Sequence, residues 1–83
     1  MNDLSAELTE QVRDLVAGAL QVPAEAVTAG LSFGDLPQWD SMGHMEVMMQ
    51  LEEHFGVEVS ADTIAALTSV PAICAYLKEN GHA

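Results

Sequence analysis

An 83-residue chain is enough for one domain and no more, and 49% hydrophobic residues exclude a disordered chain. Thirteen acids against two bases give a formal charge of −11. That balance excludes nucleic acids and anionic membranes as partners, because phosphate binding needs clustered Lys and Arg; a partner with a basic surface is the complement.

A short chain buries a modest core, so helices with local contacts are an economical solution. From Asp3 to Leu20, the residues Leu4, Leu8, Val12, Leu15, Val16 and Ala19 recur at helical spacing and predict one long amphipathic helix. Val22-Pro23 ends it, because the residue before proline avoids helical torsions. Pro23 can open a single helical turn over Ala24–Val27. The connection onward to Asp40 holds Gly30, Gly34 and Pro37 beside Leu31, Phe33, Leu36 and Trp39. A loop that apolar is expected to pack down on the helices.

A second helix is predicted over Ser41 to Phe55, stopped by Gly56 in a left-handed position. Val57 and Val59 alternate in a short extended link with no partner strand in sight. Ser60 caps a short third helix through Leu67, and Ser69 caps the last, Val70 to Lys78. Pro71 falls in that helix's first turn, where its missing N–H costs little, and Asn80-Gly81 closes it. The expected fold is all-α: a small four-helix bundle with three longer helices, one short helix and a long first connection. Residues 1–83 form one domain on this reading, with no internal repeat or linker.

The second helix carries two faces. With Ser41 at zero and 100° per residue, Val47, Leu51, Phe55 and Met48 fall at about 240° to 340°, the core arc. Met45, Met49 and Met42 fall at about 40° to 100°, with Glu52, Glu53 and Glu46 on or beside that arc at about 20° to 140°. Methionines at helical spacing are usually core filler, and acids alone are a solvated face. Mixed on one arc next to Ser41, they suit binding to several partners in turn.

Asp40-Ser41 before an amphipathic run is first of all an N-cap signal. The full capping box is missing, because His44 stands where Glu or Gln is wanted. A serine hydroxyl at a helix N-terminus also suits a phosphate ester, since free N–H groups and the positive end of the dipole favour its charge. The two readings are compatible: Asp40 caps while Ser41 carries a group. A hydrolase is disfavoured, because no Gly-x-Ser-x-Gly elbow exists. His54 projects at about 220° and His44 at about 300°, the latter as a packed or loop-bonding histidine. No Cys/His spacing matches zinc and no acidic run matches a calcium loop, so no metal site is expected. The single cysteine, Cys74, excludes an internal disulfide and reads as a small core residue on a face with Val70, Ile73 and Leu77. The polar, acidic N-terminus is no signal peptide, and no apolar run reaches the roughly 18 residues of a membrane span. A soluble protein of the cytoplasm is the expectation.

The stretch "WDSMGHMEVMMQLEEHFGVEV" resembles the second helix of acyl carrier proteins, in which Asp-Ser-Leu opens an acidic helix ending Leu-Glu-Glu-x-Phe-Gly. "TSVPAICAYL" resembles the family's last helix, and the likeness runs from about Leu4 to Leu77. The resemblance implies a 4′-phosphopantetheine arm on Ser41, transferred from coenzyme A by a phosphopantetheinyl transferase whose own site holds magnesium. Asp40 would assist recognition by that transferase. The thiol of the arm would hold an acyl or aminoacyl group as a thioester, and the carrier would catalyse nothing. Met42, Met45, Glu46, Met49, Glu52 and Glu53 would be the docking face for loading ligases or transferases and for downstream synthase enzymes.

Three departures from the family pattern stand out. Met42 replaces the usual leucine. Gly43 stands where fatty-acid carriers often have an acid. Pro37-Gln38-Trp39 replaces the common Leu-Gly-x, with Trp39 expected beside the serine, where it would restrict the arm. These point to a discrete, monomeric carrier of a specialised pathway of the polyketide or nonribosomal-peptide kind, with acyl cargo preferred. The alternative from another class is an unmodified acidic helical domain that binds a basic partner through Glu46, Glu52 and Glu53.

Overall fold

The structure is a computed structural model that describes Asp3–Asn80, with side chains from Ala6 onward. Its elements in order are α1 (Asp3–Leu20), a 3-10 turn (Ala24–Ala26), α2 (Ser41–Phe55), α3 (Ala61–Ala66) and α4 (Val70–Glu79). The described residues form no β-strand; Ser32 and Ser69 make an isolated antiparallel bridge. The bundle is therefore all-α, with three longer helices and one short one.

Each helix follows its sequence signal. Leu8, Val12, Val16 and Leu20 repeat every fourth residue along α1 and all are buried. Val22 N–H donates to the Ala17 carbonyl at 3.0 Å and Gln21 N–H to Gly18 at 3.3 Å, the paired closing bonds of a Schellman end. That ending places Gln21 at φ 59°, a left-handed torsion in a residue with a Cβ. Gly56 holds the equivalent position after α2, at φ 72°. Ser60 and Thr63 close a reciprocal cap on α3, with Thr63 N–H donating to Ser60 Oγ and Ser60 N–H to Thr63 Oγ1. Ser69 Oγ accepts from Ala72 N–H to start α4, and Pro71 sits in its first turn.

α1 packs along both α2 and α4, and α3 lies against α2. Val47, Met48 and Leu51 of α2 meet the α1 stripe, Val70, Ile73 and Leu77 of α4, and Val57 and Leu67 from the links. The connection between α1 and α2 joins the same core through Val27, Leu31 and Trp39. It is also tied down by hydrogen bonds. Arg13 donates from Nε to the Val27 carbonyl and from Nη2 to the Ala24 carbonyl, and pairs with Glu10 at 3.1 Å. Phe33 N–H donates to Thr68 at 2.8 Å and Val70 N–H to Leu31 at 2.9 Å, which fastens the connection to the link before α4.

Five expectations need correction. Trp39 is fully buried in the core, where its indole N–H donates to His44, so it presents no exposed ring to an arm on the serine. Phe33 is not packed down; it stays 43% exposed while Leu31 takes the core position. Cys74 is half-buried at the core's edge, where its Sγ faces Thr9. α4 runs one residue further, to Glu79, and Leu67 is the C-cap of α3. Val57-Glu58-Val59 belongs to no helix or strand. Leu4 and Gly81 lie outside the residues whose side chains or backbone are described.

Candidate functional site at the start of α2

Asp40 is the N-cap of α2: its Oδ1 accepts from Gly43 N–H at 2.9 Å and its carbonyl accepts from His44 N–H at 2.8 Å. Ser41, the first helical residue, is exposed and takes no part in that cap. The first turn of α2 contains no acidic residue of its own, so the Asp40 carboxylate at the N-cap is the negative group at the positive end of the dipole. The N–H groups of this turn have no carbonyl of their own helix to reach.

The turn before Ser41 is held by a contact that only glycine permits. A Cβ on residue 43 would lie 2.1 Å from the Gln38 carbonyl oxygen and 2.9 Å from Leu20 Cδ2. The missing acid at this position thus has a steric cause: the preceding turn crosses directly over the backbone of Gly43.

Below the serine lies a buried hydrogen-bonded link. Trp39 Nε1–H donates to His44 Nδ1 at 3.1 Å, and His44 Nε2–H donates to the Ile64 carbonyl at 2.8 Å. These two partners assign the imidazole as neutral with its proton on Nε2. Phe33 meets the same ring edge-on at 5.7 Å. His44 therefore joins the connection, α2 and α3 through one side chain. With both ring nitrogens engaged, it offers no base to Ser41, which removes the remaining support for a serine hydrolase.

A groove of about 370 Å³ opens beside Ser41, lined by Phe33, Ser41, His44, Met45, Ile64 and Thr68. Its walls are mostly apolar. Sequence reasoning found Ser41 and Met45 but missed Phe33, Ile64 and Thr68, which come together only through the fold. Phe33 alone carried a local signal, as an aromatic residue in the apolar connection. On the adjoining arc, Met42, Met45 and Met49 are exposed to 81%, 41% and 51%, and Glu46, Glu52 and Glu53 are exposed beside them. The expected face is thus present on the surface, while Val47, Met48 and Leu51 are buried and Phe55 is half-buried.

Other chemistry-bearing groups stand apart from this site. His54 Nε2–H donates to Gln50 Oε1 at 3.1 Å on the surface. No group of three or more His, Cys, Asp or Glu among the described residues is placed to hold a metal. Burial pushes the Cys74 thiol above its ordinary 9.0, opposed by the hydrogen bond to Thr9 and by Lys78. No described helix is long and apolar enough to cross a membrane.

Residues 10–77 match a family profile described as a phosphopantetheine attachment site. The chain is 33% identical over 69 residues to "Acyl carrier protein 3" of Ralstonia nicotianae, which covers 83% of this chain and 79% of that one. It is 37% identical over 65 residues to an acyl carrier protein of Sinorhizobium fredii, covering 78% and 83% of the two chains. It is 33% identical over 72 residues to an acyl carrier protein of Thermosynechococcus vestitus, covering 87% and 89%. An exposed serine at a helix N-terminus, left free by the Asp40 cap and beside an apolar groove, fits a phosphodiester-linked arm. The matches agree with that geometry, and the chain belongs to the acyl carrier protein family, carriers rather than catalysts whose covalent prosthetic group is 4′-phosphopantetheine.

Proposed function

We propose that Ser41 is the attachment residue and that the protein hands an acyl group from one enzyme to the next. The observation that carries this reading is the division of labour at the turn: Asp40 supplies the cap, so the exposed Ser41 hydroxyl is left to be esterified. The helix N-terminus at Ser41 favours the negative charge of a phosphodiester on Ser41 Oγ, alongside the Asp40 carboxylate that caps Gly43 N–H. When bound, the arm supplies a thiol that holds the cargo as a thioester. Phe33, Met45 and Ile64 offer apolar surface beside the attachment point.

Recognition divides between two parts of the surface. Asp40 is the residue we assign to the phosphopantetheinyl transferase, because it fixes the turn that presents Ser41. Met42, Met45 and Met49 with Glu46, Glu52 and Glu53 form the docking face for loading and downstream enzymes with basic surfaces. The flexible thioethers supply apolar contact, and the carboxylates set orientation and encounter rate. The protein acts as a single-domain, monomeric carrier in the cytoplasm. Gly43 supports a role outside housekeeping fatty-acid synthesis, since an acidic side chain cannot stand there without moving the turn. A specialised assembly of the polyketide or nonribosomal-peptide kind, with acyl cargo, is the setting that reading favours.

The test is intact mass after incubating the apo protein with coenzyme A and a broad-specificity phosphopantetheinyl transferase. One phosphopantetheine added to the wild type and none to Ser41→Ala is expected. An unmodified wild type, or a modified Ser41→Ala, overturns the assignment.

A further inference from the structure

A second and larger groove, of about 500 Å³, runs between α1 and α2 and shares no lining residue with the groove beside Ser41. That volume falls in the range of ligand-sized recesses. Half-buried Leu15 and Phe55 give it an apolar floor, and Asp14, Gln50 and His54 stand around it. Its α1 wall is cut low by Gly18. A Cβ at that position would meet nothing within 4 Å, so no close approach demands the glycine, and its torsion is not left-handed. A glycine inside a helix is less stable than alanine, yet here it keeps space open rather than filling it.

Among the residues that line this recess, Asp14 carries the full charge and His54 is the one imidazole. Asp14 is exposed on its wall, and no Lys or Arg lines it. By helical spacing Glu7 lies one turn before Gln11 on α1, and Glu46 lies one turn before Gln50 on α2. Those two carboxylates extend the acidic rim along both helices. An apolar floor with an acidic wall suits a side chain that is a flat cation on an aliphatic stem. Leu15 offers apolar surface to such a stem, Phe55 an aromatic ring to its guanidinium plane, and Asp14 a carboxylate to its N–H groups.

We propose that the α1/α2 groove is a docking recess for an arginine side chain of a partner protein, separate from the methionine face. Glu46 lies between the two surfaces, so one basic partner can span both. The proposal does not depend on Ser41.

The experiment is an NMR titration of the ¹⁵N-labelled protein with the peptide Ala-Leu-Arg-Leu-Ala, blocked at both ends. Versions with lysine and with neutral citrulline in place of arginine run beside it. Saturable shifts are expected at the amides of Asp14, Gly18, Gln50 and His54, with the citrulline peptide at least tenfold weaker and the lysine peptide between. Gly18→Leu fills the groove and is expected to abolish the shifts, and Asp14→Asn to weaken binding at least threefold. Both variants are expected to keep the wild-type melting profile and to accept phosphopantetheine at Ser41 as the wild type does. If Gly18→Leu does not fold, Asp14→Asn decides. No saturable shift, shifts confined to Met42, Met45 and Met49, or equal binding by the citrulline peptide overturns the proposal. Failure of Ser41 to be modified leaves it standing.

Discussion

The carbonyl of Gln38 passes so close to residue 43 that a methyl group there would overlap it, and Gln38 belongs to the turn that delivers Asp40 and Ser41. Gly43→Ala must therefore displace that turn or the start of α2. We expect a loss of about 1–3 kcal/mol in thermal unfolding, the range for forcing extra carbon into a packed site. A slower transfer of phosphopantetheine to Ser41 should accompany it, read by intact mass over time. Gln21 is the opposite case. It holds a left-handed torsion that costs a residue with a Cβ, so Gln21→Gly should stabilise by about 0.5–1 kcal/mol after the added freedom of the unfolded chain is counted. A lower melting temperature for Gln21→Gly would show that the Gln21 side chain contributes more than its torsion costs.

At the scale of elements, α3 has six residues, far below the length at which a helix persists alone in water. It is held by the Ser60–Thr63 cap, by the burial of Thr63 and by the hydrogen bond from His44 to the Ile64 carbonyl. His44→Leu keeps bulk but removes the donor and strands the Trp39 N–H. Amides of α3 and its C-cap, Leu67 among them, should then exchange at least tenfold faster, while those in the middle of α1 and α4 change little. Equal acceleration in all helices would mean that His44 supports the bundle as a whole.

The same scale shows what local sequence can carry. Helix boundaries were legible because caps and stops are local: Asp40, Ser60, Ser69 and Gly56 sit where their chemistry is used. The methionine arc was legible because 100° per residue is enough to separate it from Val47 and Leu51. Trp39 and His44 were not legible as a pair. Their bond forms across the turn that Gly43 permits, and the second partner, Ile64, lies 20 residues further on. Nothing in "PQWD" distinguishes an indole that turns inward from one that flanks the serine. Arg13 was equally opaque: its bonds to Ala24 and Val27 depend on how the connection folds back over α1.

Over the whole molecule, charge is the dominant fact. Of thirteen acids and two fixed cations, Arg13 is already engaged with Glu10 and two carbonyls. Carboxylates at Glu46, Glu52 and Glu53 share one face of α2 and repel one another. Raising ionic strength from about 0.01 M to about 0.15 M shortens the screening length from about 30 Å to about 8 Å. The melting temperature should rise over that range, by several degrees in a domain where about 1 kcal/mol shifts it 4–8 °C. A flat melting temperature would show that the charges are already well separated.

Cys74 has a consequence for how selectively this protein can work. A carrier of thioesters lives among activated acyl groups, and any second thiolate on its own chain is a place for cargo to stray. Burial keeps the Cys74 proton on sulfur past the point at which a free thiol loses it. The protein's own sulfur is therefore the quieter nucleophile at neutral pH, and acyl exchange is left to the arm. The bookkeeping extends to stability: below pH 9.0 the preference of the folded state for the protonated thiol is fully present, and it fades as pH climbs through the raised value.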